Sequence, residues 1–186
     1  MMGRSVSWAI GFALFVPLLN SCRSPFDLTS GSRISVINNG DSSIRFSLII
    51  PDKKINPKSG SNYFWFRSGK IHRTEGEFAG KLLDGDYDLF GPDSELFQKG
   101  QYRNGRRKGK WKSWYSNGAL ASIIIYKKGN QSGRAIFFEK KGKLRLSSKF
   151  SHGKKNGREK EFKNGVKSAI RRYNDGDLVW EKIIVF

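Results

Sequence analysis

Apolar and polar positions alternate over short stretches through most of the chain. Runs such as Ala119 to Tyr126 and Lys143 to Phe150 are too short for stable helices and rich in β-branched or aromatic residues, so they predict strands. Arg33 to Ile37 and Ser43 to Ile50 are two further β-branched runs. The Asn38-Asn39-Gly40-Asp41 segment between them predicts an N-terminal hairpin. Residues 51 to 61 interrupt the pattern as a loop. Asn-Gly or Asp-Gly recurs at 39–40, 84–85, 104–105, 117–118, 156–157, 164–165 and 175–176, and such pairs supply the positive φ that tight hairpin turns need. One stretch does not alternate: Val6 to Leu19 is apolar without a charge.

From Tyr63 onward the alternation itself repeats. Phe78, Tyr102, Tyr126, Phe150 and Tyr173 are spaced by 24, 24, 24 and 23 residues. Gly85, Gly109, Gly133 and Gly157 keep the same period, and Phe90, Trp114, Phe138 and Phe162 follow each of these glycines by five residues. A turn glycine two residues before an aliphatic recurs as Gly69 with Ile71, Gly118 with Leu120 and Gly142 with Leu144. Ser94 replaces that glycine ahead of Leu96. Tyr102-Arg-Asn-Gly105-Arg-Arg-Lys-Gly109-Lys-Trp111-Lys-Ser-Trp114 is the fullest copy of the unit. It resembles the MORN repeat in its bacterial variant, a family in which some tandem proteins carry antitoxin or immunity labels. The resemblance covers roughly residues 63 to 182. It implies an all-β fold in which each unit is a β-hairpin and successive hairpins pair into one elongated antiparallel sheet, with units starting near Phe78, Tyr102, Tyr126, Phe150 and Tyr173. Lys81 stands where the first unit's glycine belongs, with Gly80 one residue early, and Trp180 replaces the second glycine after Tyr173. Degenerate end units suit a capped array.

The apolar stretch near the start changes the picture of where the protein resides. Its fourteen residues would rise only about 21 Å as a helix, short of the roughly 30 Å hydrocarbon core, and Arg4 supplies a positive flank. This is the pattern of a signal peptide. Leu19-Asn20-Ser21-Cys22 resembles the lipobox of bacterial lipoproteins, which implies cleavage before an acylated Cys22, the only cysteine of the chain. The expected organisation is a signal peptide over residues 1–21, a lipidated N-terminus and tether over 22–32, the hairpin and loop over 33–62, and the repeat array over 63–186. Arg23 after the cysteine, rather than aspartate, suggests the outer membrane of a two-membrane envelope by the same resemblance.

Charge adds a candidate binding surface. The chain carries +19, and residues 98–172 hold 23 Lys or Arg against three acids, so the rest is near neutral. Arg103, Arg106, Arg107, Lys108, Lys127, Lys128, Lys154 and Lys155 cluster around the recurring turn that precedes the second glycine column. Repetition should bring them out along one edge, about 10 Å apart per two-strand unit, comparable to the Debye length. Such a single-sign stripe suits an anionic partner: phospholipid or lipopolysaccharide headgroups, or an acidic protein. Export disfavours nucleic acid.

Catalysis finds little support. His152 falls at a turn tip and His72 on a strand, neither beside a recognisable nucleophile motif. Asp84, Asp86, Asp88 and Glu95 occupy positions 1, 3, 5 and 12 of a calcium-loop pattern, but Leu89 stands where the sharp-turn glycine is required. No cofactor or metal is expected. The Phe90, Trp114, Phe138 and Phe162 column is expected to stack as core. The reading is a non-enzymatic, membrane-anchored repeat scaffold that binds an anionic partner through its basic edge. An immunity protein that neutralises a toxin by binding it is the alternative, and an envelope hydrolase the least favoured.

Overall fold

The computed structural model describes residues 32–49 and 55–185; the expected signal segment, Cys22 and all of the expected tether except Ser32, which starts the first strand, lie outside them. The described chain is all-β. Its strands are β1 (Ser32–Asn39), β2 (Ser42–Ile49), β3 (Asn62–Arg67), β4 (Lys70–Glu75), β5 (Lys81–Phe90), β6 (Leu96–Arg103), β7 (Arg106–Trp114), β8 (Leu120–Lys127), β9 (Asn130–Phe138), β10 (Leu144–Ser151), β11 (Lys154–Lys155), β12 (Gly157–Lys163), β13 (Val166–Asn174) and β14 (Asp177–Ile183). Neighbours in sequence pair antiparallel from β5 to β14, with the short β11 attached to β10, and the β1–β2 hairpin joins the same sheet through β2 and β5. This long open meander is the repeat sheet that the periodicity predicts.

Two kinds of turn alternate along it. Asn104-Gly105, Lys128-Gly129, His152-Gly153 and Asp175-Gly176 have positive φ at both residues, the geometry of type I′ hairpin turns. The opposite ends of the strands are joined by three-residue loops at Pro92-Asp93-Ser94, Ser116-Asn117-Gly118 and Lys140-Lys141-Gly142, closed by bonds such as Tyr115 N–H to the Ala119 carbonyl at 2.9 Å. In the last unit that loop shrinks to Asn164-Gly165, with Lys163 opposite Val166. One residue is thereby lost, which accounts for the spacing of 23 between Phe150 and Tyr173.

Not every glycine pair makes a turn. Asp84-Gly85 lies inside β5 and Asn156-Gly157 at the start of β12. Gly85, Gly109, Gly133 and Gly157 all have positive φ within or beside a strand, and the pairing register slips next to the first three. The second glycine column therefore marks one β-bulge per unit.

The core follows a different column from the expected one. Tyr87, Trp111, Ala135 and Glu159, again 24 residues apart, are all buried, whereas Phe90, Trp114, Phe138 and Phe162 are only half-buried. Trp111 and Trp114 are three apart on one strand, so alternation sends them to opposite faces. Among the described elements, only one face is covered. The β3–β4 hairpin leaves the sheet after pairing Trp65 with Leu82 and Phe66 with Lys81, and folds over the face that carries Phe46, Tyr102 and Trp111. Phe66 packs on Phe46 with ring centroids 5.4 Å apart, and Phe64 on Tyr102 at 5.0 Å. Gly80 makes the crossing possible, since a Cβ there would lie 2.5 Å from the Phe66 carbonyl oxygen and 2.6 Å from the Trp65 ring. The displaced glycine of the first unit thus marks the point where β5 changes partner from β3 to β2. Gly100 serves the same layer, leaving space that the Trp111 indole fills.

Candidate anion-binding edge

The type I′ turns stack along one edge of the sheet. Each turn glycine donates its N–H to a carbonyl of the preceding unit: Gly105 to Leu83 at 2.8 Å, Gly129 to Arg107 at 3.0 Å, Gly153 to Gln131 at 2.9 Å and Gly176 to Lys155 at 2.9 Å. A glycine provides the positive φ and the ladder bond at once. Most of the residues flanking these turns sit on strand ends between turn and bulge rather than on free loops, with Lys128 in the turn itself.

Arg103, Arg106, Arg107, Lys108, Lys127 and Lys128 line one open pocket of about 360 Å³, together with Gly109 and Tyr126. Their surroundings differ. The Arg107 guanidinium is caged between the rings of Trp111 at 4.3 Å, Phe64 at 5.2 Å and Tyr126 at 5.3 Å, and donates to the Tyr126 hydroxyl at 3.0 Å. Burial disfavours its charged form, yet the Tyr102 and Tyr126 hydroxyls more than offset this and hold its pKa above the ordinary value. Burial in turn pushes the Tyr102 hydroxyl well above the usual tyrosine range. Arg106 lies 5.8 Å above the Tyr63 ring. Arg103, Lys108, Lys127 and Lys128 are exposed and make no ion pair among the described residues.

Lys154 and Lys155 are not part of this pocket. Lys154 pairs with Asp175 of the next turn at 2.8 Å. Lys155 forms an ion pair with the buried Glu159 at 2.6 Å and lies 4.5 Å from the Tyr173 ring centroid. The continuous stripe expected from the turn composition is thus concentrated around two units and neutralised at the third. The sequence missed Tyr126, which alternation assigns to the covered face. It also missed Phe64 and Tyr63, because the hairpin that carries them reaches the arginines only by folding over.

The other candidate groups have separate engagements. Asp88 is held by Arg45 at 2.6 Å and Lys99 at 3.0 Å, and these bonds outweigh burial and keep its carboxyl below the usual range. Asp84 accepts the Asn104 N–H at 2.7 Å, Asp86 accepts from Gln101 at 2.9 Å, and Glu95 accepts from the Asp93 N–H at 2.9 Å. Among the described residues no three acidic, histidine or cysteine side chains converge as metal ligands. His152 occupies a tight turn, with φ of 50°. His72 stacks on Trp65 at 4.4 Å between ring centroids. No protein-family model matches the sequence, and no curated protein gives a significant match to it.

Proposed function

We propose that the protein is a MORN-variant binding scaffold, exported and lipid-anchored at Cys22, that docks anionic headgroups through the edge pocket. The observation that carries this reading is the pocket itself, where four exposed cations, Arg103, Lys108, Lys127 and Lys128, stand beside an arginine fixed in place by aromatic rings. Folding does not need those four charges: Arg103, Lys108 and Lys127 extend from strand ends and Lys128 from the tight turn between β8 and β9, where the backbone is paired by the ladder and turn bonds. Each basic side chain close to an anionic membrane surface adds about 1 kcal/mol of attraction. The edge would add a second membrane contact to the acyl chains on Cys22.

The test replaces Arg103, Lys108, Lys127 and Lys128 with glutamine in a Cys22→Ser chain lacking residues 1–21 and compares sedimentation with anionic and neutral vesicles. The parent should bind anionic vesicles in a salt-sensitive way and the variant should not. A parent that ignores anionic vesicles at low salt removes the headgroup reading and leaves an acidic protein as the partner. Acylation has its own measurement. Mass spectrometry of the mature N-terminus should show residues 1–21 removed and the Cys22 thiol modified; a free thiol there contradicts the anchor.

A further inference from the structure

The alternation that places Ala135, Ser148, Glu159 and Arg171 toward one face sends their neighbours Arg134, Lys149, Arg158 and Arg172 to the other. All four are exposed, and none makes an ion pair among the described residues. They lie side by side. Arg134 is directly opposite Lys149 across β9 and β10, and Arg158 is opposite Arg172 across β12 and β13. The Ser147–Lys160 pairing joins the two hairpins, and Lys149 reaches over Gly157, where a Cβ would come within 3.1 Å of its Cδ. Trp180, 40% exposed, stands opposite Arg172 and ends the row.

Like charges placed directly opposite one another destabilise a sheet. Elsewhere on this surface the protein relieves such a pair: Lys99 faces Lys112, but Lys99 also bonds Asp88. Among the described residues no acid relieves the Arg134–Lys149 or Arg158–Arg172 pairs. A face needed only for solubility would mix both signs, so the unrelieved row points to a ligand that supplies the missing negative charge.

We propose that this row binds a linear anionic polysaccharide lying across β9, β10, β12 and β13. Its acidic groups would meet Arg134, Lys149, Arg158 and Arg172 in turn, and one sugar ring would stack on Trp180. The step between neighbouring strands, about 4.8 Å, is close to the length of one sugar unit in an extended chain, so successive sugars meet successive strands. Duplex nucleic acid fits less well, because it presents a charge every ~1.7 Å of axis on a curved surface. The row shares no residue with the edge pocket, so each assignment can fail without the other.

The test measures binding of polygalacturonate to the intact chain in nonionic detergent, by titration calorimetry and tryptophan fluorescence, with neutral dextran and duplex DNA as comparisons. Wild type should bind polygalacturonate in a salt-sensitive manner and ignore dextran. Combined Arg134→Gln, Lys149→Gln, Arg158→Gln and Arg172→Gln should weaken binding at least tenfold without lowering the melting temperature, since opposed like charges are removed. Trp180→Ala should weaken it severalfold and leave the salt dependence unchanged. The edge variant Arg103→Gln, Lys108→Gln, Lys127→Gln, Lys128→Gln should stay within twofold of wild type. Should the fourfold row variant melt early, Arg134→Gln and Arg172→Gln, on separate strands, must each weaken binding at least twofold. The proposal is overturned if wild type does not bind polygalacturonate at low salt, if the edge variant loses as much affinity as the row variant, or if duplex DNA binds as tightly.

Discussion

At the scale of single residues, the face that the β3–β4 hairpin partly covers carries a series of different chemistries at one repeat position. Tyr87 and Trp111 are aromatic, Ala135 is small, and Glu159 is charged, yet all four are buried. Each is matched across the strands. Trp111 occupies the space over Gly100 and donates its indole N–H to the Gln101 carbonyl at 3.2 Å, while Glu159 is met by Lys155 and Arg171. Trp111→Ala should therefore cost about 3 to 5 kcal/mol, the range for deleting a large buried aromatic. Trp114→Ala, at a half-buried position facing the other way, should cost less than half as much. Urea denaturation of both variants decides the order, and a reversed order would place the core on the wrong face. The sequence announced the aromatic columns but not which one is covered, because that depends on where a distant hairpin lands.

At the scale of elements, the unit is a hairpin with a tight turn at one end, a three-residue loop at the other and a glycine bulge in its second strand. Most of these features were legible, since Asn-Gly and Asp-Gly turns have a local physical cause. The bulges were not, because Asp84-Gly85 and Asn156-Gly157 carry the same residues as a turn and only strand pairing tells them apart. Ser94 is the exception among the loops: it holds φ of 60° where Gly118 and Gly142 hold 78°. A left-handed conformation costs a non-glycine residue roughly 1 to 2 kcal/mol, and glycine loses part of that gain through its more flexible unfolded state. Ser94→Gly should then stabilise the protein by about 0.5 to 1 kcal/mol, seen as a raised midpoint of urea unfolding. A lowered midpoint would mean that the Ser94 side chain contributes a bond that its exposed position does not suggest.

At the scale of the whole described molecule, the sheet has two layers where β3 and β4 cover it and one layer beyond. The large buried cluster comprises Phe46, Leu48, Leu83, Tyr87, Tyr102 and Trp111, whereas β14 is exposed at every position. Local opening free energies track buried apolar contact, and a repeat array couples mainly through its nearest neighbours. Amide hydrogen exchange should accordingly be slowest in β2 and β5 to β7, faster in β12 and β13, and fastest in β14. Uniform protection along the array would show that the one-layer part is held by something other than the ion pairs of Glu159, Glu161, Arg171 and Glu181.

The sequence by itself determined the all-β class, the hairpin unit, its period and the edge on which its turns emerge, because these follow from local turn chemistry and strict repetition. It could not decide which basic residues remain free. Arg107, Lys154 and Lys155 carry the same charge beside the same turn as Lys127 and Lys128, but tertiary packing cages the first among aromatic rings and pairs the other two with acids 21 and four residues away. Nor could it show that Arg134, Lys149, Arg158 and Arg172 form a row, since that alignment arises from registers set by bulges and a shortened loop. Periodicity is a property of the chain, whereas coverage of a face and neutralisation of a charge depend on which distant segments meet, and only the folded structure fixes those.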